Sequence, residues 1–437
     1  MVLQHPRRRA CGARLCERPH SQNGTPGMPY TTFLVKNCRW LAGGFLLCFF
    51  SSFGQTFFIS LSAGDIRREY DLSHGAFGSL YMGATLLSAL TLPQLGRIVD
   101  HVRSRDVLLL TLPLLAIATI SMGYAYDGYW LFATIYLLRL FGQGMMTHNA
   151  MTAMARWFSA QRGRAISLAS LGNQAGEALF PLAFVALAPL VGWRNTWLFS
   201  SLAILFVGLP AIYLLLRVER TPSADDGPER RFAVRDWSRS EVLRDTTFWL
   251  ALSGVLAPGF IATTIFFHQV YLVELRQWSI EIFASAFIVS SSMTVVSSLA
   301  TGYLVDRYSA VAILPFYLLP LAAACFVLAF VDAQWSAFVF MALLGASLGS
   351  STTLFGALWP EIYGVKYLGS IRAIIVALMV FGTAMGPGIT GFLIDAGVPY
   401  SWQIAAMGAY CLLGVMLMTT VRTEVRARNA LTWPETA

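Results

Sequence analysis

The sequence predicts an all-α membrane protein of twelve transmembrane helices in two pseudo-symmetric six-helix bundles. Three observations predict it. Of the 437 residues, 56% are hydrophobic and only 12% charged, and the mean hydropathy is +0.60. An ordinary soluble domain carries about 25% charged residues, so lipid must be this chain's main solvent. Second, the chain repeats itself. Gly96-Arg97-Ile98-Val99-Asp100 recurs as Gly302-Tyr303-Leu304-Val305-Asp306 after 206 positions, and Arg164-Ala165-Ile166 as Arg372-Ala373-Ile374 after 208. Trp193 is echoed by Trp402, 209 positions on, so the offset stays close to half the chain. Third, the basic residues alternate in density from one inter-span segment to the next.

A helix of ~20 residues crosses ~30 Å of hydrocarbon. The apolar runs place spans at 39–62, 74–98, 106–125, 129–153, 164–190 and 195–217, then at 247–272, 280–304, 310–331, 335–358, 368–393 and 401–421. Residues 1–38 are polar and Arg-rich, with no apolar core at signal-peptide distance, and read as a disordered cytoplasmic tail in which Met28 is an alternative start. Residues 218–246 carry Pro222, Gly227, Pro228 and dense mixed charge, the linker between bundles 39–217 and 247–421. Its last part, Ser238-Arg239-Ser240-Glu241, is a capping box and predicts a short surface helix. Residues 422–437 read as a second cytoplasmic tail. With both termini inside, 26 of the 31 basic residues fall on inner segments, and only Arg67, Arg68, Arg194 and Arg276 on outer loops. That asymmetry favours a multi-pass protein of a bacterial inner membrane, both termini cytoplasmic.

Several functions are excluded. The net charge of +8 does not gather on any foldable soluble segment, so nucleic acid is not a partner. The six Cys show no zinc spacing, and neither a metal nor a cofactor is implied. Gly345-Ala346-Ser347-Leu348-Gly349 fits a nucleophile elbow only on paper, because it lies inside an apolar run and no His follows it. No phosphate-binding Gly-Lys-Ser/Thr loop exists to energise the chain with ATP. An intramembrane enzyme lacks its paired catalytic side chains, and a receptor or sensor its long soluble segment.

The expected conformational latch is Gly96, Asp100 and Arg105, with a weaker copy at Gly302, Asp306 and Arg307. Glycine admits a neighbouring helix, and the carboxylate can accept from Arg105 or from a nearby helix end. The spacing Gly96-x-x-x-Asp100-x-x-x-x-Arg105 resembles the loop motif of the major facilitator superfamily, and the resemblance covers 39–421. It implies two bundles rocking about a midplane solute site, in a chain that works as a monomer. Gly192-Trp193-Arg194 and Trp359-Pro360-Glu361-Ile362-Tyr363-Gly364 look like segments of bacterial oxalate/formate and monocarboxylate porters. Those porters use an Arg in span eight, where this chain has Ser290, Ser291, Ser292 and Thr294.

Arg139 is the one basic residue deep in a span, and a mid-membrane charge needs a partner. Glu177, at similar depth, is the natural one; Gln143 shares a helix face with Arg139 and Asn173 with Glu177. Arg139 also resembles the superfamily's span-four Arg. Two readings stand side by side: Arg139 binds a substrate carboxylate while Glu177 carries a proton, or the two form a permanent salt bridge. Gln55, His268 and Gln269 sit where spans one and seven would flank the cavity, and an imidazole such as that of His268 is the side chain whose ordinary pKa could sense protons near neutral pH. Gly382, Gly386, Pro387 and Gly391 supply close packing and a hinge in span eleven. The superfamily's antiporter motif belongs in span five, yet span eleven resembles it more, which favours uptake over export. The whole predicts a secondary transporter in membrane lipid, moving a small organic solute, an anion or vitamin-like metabolite, with protons or another coupling ion. The alternatives are a drug or metabolite efflux antiporter and, in another class, a non-transporting receptor.

Overall fold

Lipid offers the backbone no hydrogen-bond partner, so each long apolar run must satisfy its own amides as a helix. Among the described residues the structure has helices and no strand. It is a computed structural model describing residues 30–158, 161–220, 235–364 and 366–432. In the front half the helices are α1 (Tyr30–Ser51), α2 (Thr56–Ile59), α3 (Ala63–Glu69), α4 (His74–Leu95), α5 (Ile98–His101) and α6 (Ser104–Tyr124). They continue with α7 (Gly128–Leu137), α8 (Thr147–Trp157), α9 (Arg162–Val191), α10 (Trp193–Leu202) and α11 (Leu209–Leu216). The back half comprises α12 (Arg239–Arg244), α13 (Thr246–Phe267), α14 (Gln269–Leu275), α15 (Ile280–Tyr308), α16 (Ala310–Ile313), α17 (Leu319–Phe330), α18 (Ser336–Tyr363), α19 (Leu368–Asp395) and α20 (Tyr400–Thr432).

Polar caps start these helices where the chain re-enters the apolar region. Ser73 accepts from the Ala76 amide at 3.1 Å and Asp127 from the Trp130 amide at 2.7 Å. Gly192 and Gly364, at φ of 85° and 78°, end α9 and α18 in a conformation that a side chain disfavours. The linker's capping box forms with both reciprocal bonds and opens α12, as its sequence requires.

Among the described residues ten helices are long and apolar enough to cross a membrane. The expected spans 129–153 and 310–331 are not among them, each for a physical reason. Residues 128–157 stay helical but carry a π-helical stretch, Leu138–Met146, around the charged Arg139. Residues 310–330 break into α16, a turn at 314–318 and α17, where Pro315 and Pro320 withhold two backbone donors. Three other limits move. The helix expected from 39 already begins at Tyr30, so 30–38 is no tail, while residues 1–29 lie outside the described set. The single span expected at 39–62 is interrupted after Ser51. At the other terminus α20 runs to Thr432, past the expected end at 421.

From Arg39 onward the chain forms one unit. Helices of the front half pack on one another (α6 on α10, α8 on α9, α4 on α7), as do those of the back half (α15 on α18, α17 and α13 on α20). The most extensive packing between halves is by two pairs of long helices, α4 with α19 and α9 with α15, and the short α2 and α3 also touch α13 and α14. The 206–208 offset carries α4 onto α15 and α9 onto α19, so the repeat exchanges one crossing for the other. Small residues set the closest approaches. A Cβ on Gly345 or Gly349 would lie 2.2 or 2.1 Å from the carbonyl oxygens of Ser290 and Thr294. The elbow-like pentapeptide is therefore a packing surface for α15.

Candidate functional site

The first helix of the front half breaks after Ser51. Ser52–Gly54 tightens into a 3-10 turn, Gln55 is extended at φ −83° and ψ 152°, and α2 restarts at Thr56. The break frees carbonyls that must find partners in a dry interior. Arg139, only 4% exposed, supplies one: its guanidinium donates to the Gly54 carbonyl at 3.2 Å and to Thr56 Oγ1 at 3.3 Å. Thr56 Oγ1 shares a 2.7 Å bond with the Tyr81 hydroxyl, and the Tyr81 ring centroid lies 5.5 Å from the guanidinium. The π-helical stretch brings Gly142 against Gly54, where a Cβ on Gly142 would sit 2.7 Å from the Gly54 Cα.

The four-residue cluster expected around Arg139 forms in pieces. The described partners of Arg139 are all neutral, and its buried Nε has none. Glu177, half-buried on α9, accepts from Ser290 Oγ of α15 at 3.3 Å, a bond between the two halves; it does not pair with Arg139. Asn173 accepts from Ser51 Oγ at 3.1 Å, one turn from Glu177. Gln143 is half-buried, and its backbone nitrogen borders Gly54. Arg139, in the 128–157 helix, and Glu177, in α9, both sit well inside their helices, and both belong to the front half.

At the end away from the linker, here the far end, the halves close on each other. Gln269 is fully buried; its Nε2 donates to the Phe57 carbonyl and to Ser60 Oγ, both at 2.8 Å. Ser60 Oγ in turn donates to the Phe266 carbonyl at 2.6 Å. His268 Nε2 lies 3.3 Å from the Pro387 carbonyl, and its ring centroid is 6.0 Å from that of His74. A pocket of about 10 Å³ lies among His74, Phe77, Phe267 and His268. In α19, a Cβ on Gly391 would meet the His74 carbonyl at 2.4 Å and one on Gly386 the Thr264 hydroxyl at 2.1 Å, whereas Gly382 has room. Among the described residues, every hydrogen bond and ion pair between the halves lies at mid-depth or at the far end.

The described side chains of the expected latch stay within their own halves. Arg105 donates to the Arg217 carbonyl at 3.0 Å and pairs with Asp106 at 3.2 Å. Arg307 reaches the Tyr303 hydroxyl at 3.4 Å, Gly96 faces His148, Gly302 faces Thr353, and Asp306 is exposed. The side chain of Asp100 lies outside the described residues. Sequence reasoning missed Thr56 and Tyr81 around Arg139, and the cross-half partner of Glu177. The polar string Ser51-Ser52-Phe53-Gly54-Gln55-Thr56 was the signal for the break.

Comparison with known proteins agrees with this architecture. The Major Facilitator Superfamily matches residues 44–330 and 271–436. An "MFS-type transporter" of Gibberella moniliformis is 23% identical over 427 residues, 95% of this chain and 97% of that protein. A "Phosphoglycerate transporter protein" of Salmonella typhimurium is 21% identical, covering 85% of each chain. Among solved structures, a bacterial homologue of the human lysosomal transporter Spinster, inward-facing and unoccupied, superimposes with a TM-score of 0.64 at 16% identity, over 90% of this chain and 95% of that one. The same homologue in its inward-facing, occupied conformation gives 0.62 at 17% identity, over 92% and 97%. The chain is a membrane transporter, not an enzyme, and belongs to the major facilitator superfamily.

Proposed function

We propose that this chain is a secondary active transporter that takes up a small organic anion by alternating access, coupled to protons. In this reading twelve spans form two six-helix halves joined by residues 218–246, the termini are cytoplasmic, and the far end faces outward. The interrupted helices at 128–157 and 310–330 serve as spans four and nine.

The observation that carries the reading is the charge state of the interior. Arg139 is buried at mid-membrane with neutral partners and an unpartnered Nε. A guanidinium left without a carboxylate in a low-dielectric interior is a standing demand for an anion. A relative named for phosphoglycerate fits the same charge class. Glu177 stands apart from Arg139 at the α9–α15 crossing, bonded to Ser290, and is free to exchange a proton without first breaking an ion pair. The resemblance to oxalate/formate porters points to the same kind of solute, although the hydroxyls of Ser290 and Ser291 stand where those porters have Arg.

Purified protein in proteoliposomes tests this. An inward proton gradient should drive accumulation of a labelled organic anion such as phosphoglycerate or oxalate, abolished by Arg139→Ala. Anion uptake by Arg139→Ala at the wild-type rate removes Arg139 from the solute site. Movement only outward, against an inward proton gradient, gives the efflux antiporter instead. No flux of any solute leaves the receptor reading.

A further inference from the structure

Helices α4 and α19 cross antiparallel, so that α4 begins where α19 ends. Asp395, the last residue of α19, sits on the first turn of α4 in the opposite half. One carboxylate oxygen accepts from the His74 amide at 3.1 Å and the other from the Gly75 amide at 2.7 Å. The first amides of a helix have no acceptor within it and carry the positive end of its dipole. A carboxylate there makes charge-assisted bonds that a neutral side chain does not match. The fit depends on two glycines. A Cβ on Gly75 would lie 2.7 Å from the Asp395 carboxylate, and one on Gly391 2.4 Å from the His74 carbonyl. The other charged contact between the halves at this end, Arg68 with Glu274, spans 4.0 Å between exposed side chains and adds little.

We propose that Asp395 is the latch that holds the far end shut, and that it works in opposition to the Gly96–Arg105 segment at the other end of the same helix pair. That segment follows α4 directly and carries Asp100 in α5. Each helix of the pair thus has an acid at or just beyond its carboxyl end, the end at which its partner begins. Opening the far end separates His74 from Asp395 and brings the linker ends of the pair together, so the two acids hold alternate states. The inference rests on the alternating-access reading.

The test uses the full chain in lipid nanodiscs, with spin labels at Tyr126→Cys and Trp335→Cys, exposed positions at the far end of the two halves. Distances between them report the closed and open populations. Asp395→Asn and Asp395→Ala should raise the open population by ~3–10-fold, the range expected for an anion at a helix amino end. Asp100→Asn should lower it, and Glu281→Gln, at the same end but bonded to Ser279 within its own helix start, should change nothing. If both Asp395 variants keep the wild-type distribution while wild type samples both distances, or if Asp100→Asn also opens the far end, the latch is refuted and the carrier reading stands. A single wild-type distance, with and without a transported anion, refutes alternating access itself.

Discussion

Arg194 and Arg276 brace the same junction of their respective halves from different helices. Arg194, at the start of α10, donates to the Gly123 carbonyl at 2.9 Å and the Ala125 carbonyl at 2.7 Å. Arg276, just past α14, donates to the carbonyls of Leu328 and Ala329 at 2.9 and 3.1 Å. Gly123 and Ala329 are 206 positions apart, so both arginines satisfy the frayed carboxyl end of the third long helix of their half. Each also meets an acid: Glu69 at 2.6 Å for Arg194, Asp332 for Arg276. The duplicated halves kept the carbonyls that need a cation and changed the helix that supplies it.

Replacing either arginine with Met should therefore lower stability without touching the solute site. Arg276, whose side chain is 6% exposed against 28% for Arg194, should cost more, about 2–3 kcal/mol against about 1 kcal/mol. The sites share no partner, so the double variant should show the sum. Thermal unfolding in detergent with uptake measured in parallel checks this; equal and non-additive shifts would contradict it.

At the solute site, Arg139→Lys separates charge from geometry. Lysine keeps the positive charge but cannot serve the Gly54 carbonyl and Thr56 while presenting a planar fork to an anion. Uptake should fall by about tenfold or more in Arg139→Lys and vanish in Arg139→Ala. Wild-type KM for the anion in the Lys variant would leave the fork without a role.

Glu177→Gln preserves the shape at α9 and the bond to Ser290 but carries no proton. Anion exchange between loaded vesicles should persist, while accumulation driven by a proton gradient should be lost. Ser290→Ala, which leaves the proton carrier intact, should keep coupled uptake at a changed rate. Gradient-driven accumulation by Glu177→Gln would move coupling to another group.

Gly54 and Gly142 should not tolerate a methyl group. A Cβ on Gly54 would stand 2.1 Å from the Leu138 carbonyl, and the neighbouring atoms are backbone that cannot step aside. Gly54→Ala or Gly142→Ala should cost about 1–3 kcal/mol and disturb the Arg139 bonds as well. Gly382→Ala, where the nearest atom is 3.6 Å away, serves as the tolerated control in the same melting experiment.

The linker end is fastened by Asp245, which accepts from Arg428 at 3.0 and 3.1 Å and from the Tyr363 hydroxyl at 2.9 Å. Burial pushes its pKa up, but the bonds from Arg428 and Tyr363 outweigh that and hold it below the usual carboxylate value. The resulting stability is complete above the unfolded value, about 3.9, and is lost as pH falls through the lower folded value. Asp245→Asn should remove about 1–3 kcal/mol at pH 7. The gap between variant and wild type should narrow in thermal melts as pH falls below the unfolded value and close once pH passes the lowered folded value.

The sequence made the helical architecture legible through its apolar runs, its duplication and the Ser238–Glu241 cap, because each is a local pattern. Arg139 itself stood out too, as a charge in an apolar run, and it is buried. Its neighbours were not legible. Placing Gln143 on the face of Arg139 assumes 3.6 residues per turn, and the wider π-helical turn at 138–146 changes that register. Pairing Arg139 with Glu177 assumed that only a carboxylate could satisfy it, whereas the broken helix at Gln55 exposes a carbonyl that does. The bonds of Asp395 to His74 and Gly75 span more than 300 positions of chain, and nothing local announces them.

Arg139 and Glu177 both come from the front half, and among the described residues the back half meets them only through the Ser290 hydroxyl on Glu177. In chimaeras built with related carriers, energy coupling should therefore travel with the amino-terminal donor. The carboxyl-terminal donor should change which solutes fit and leave their required charge unaltered.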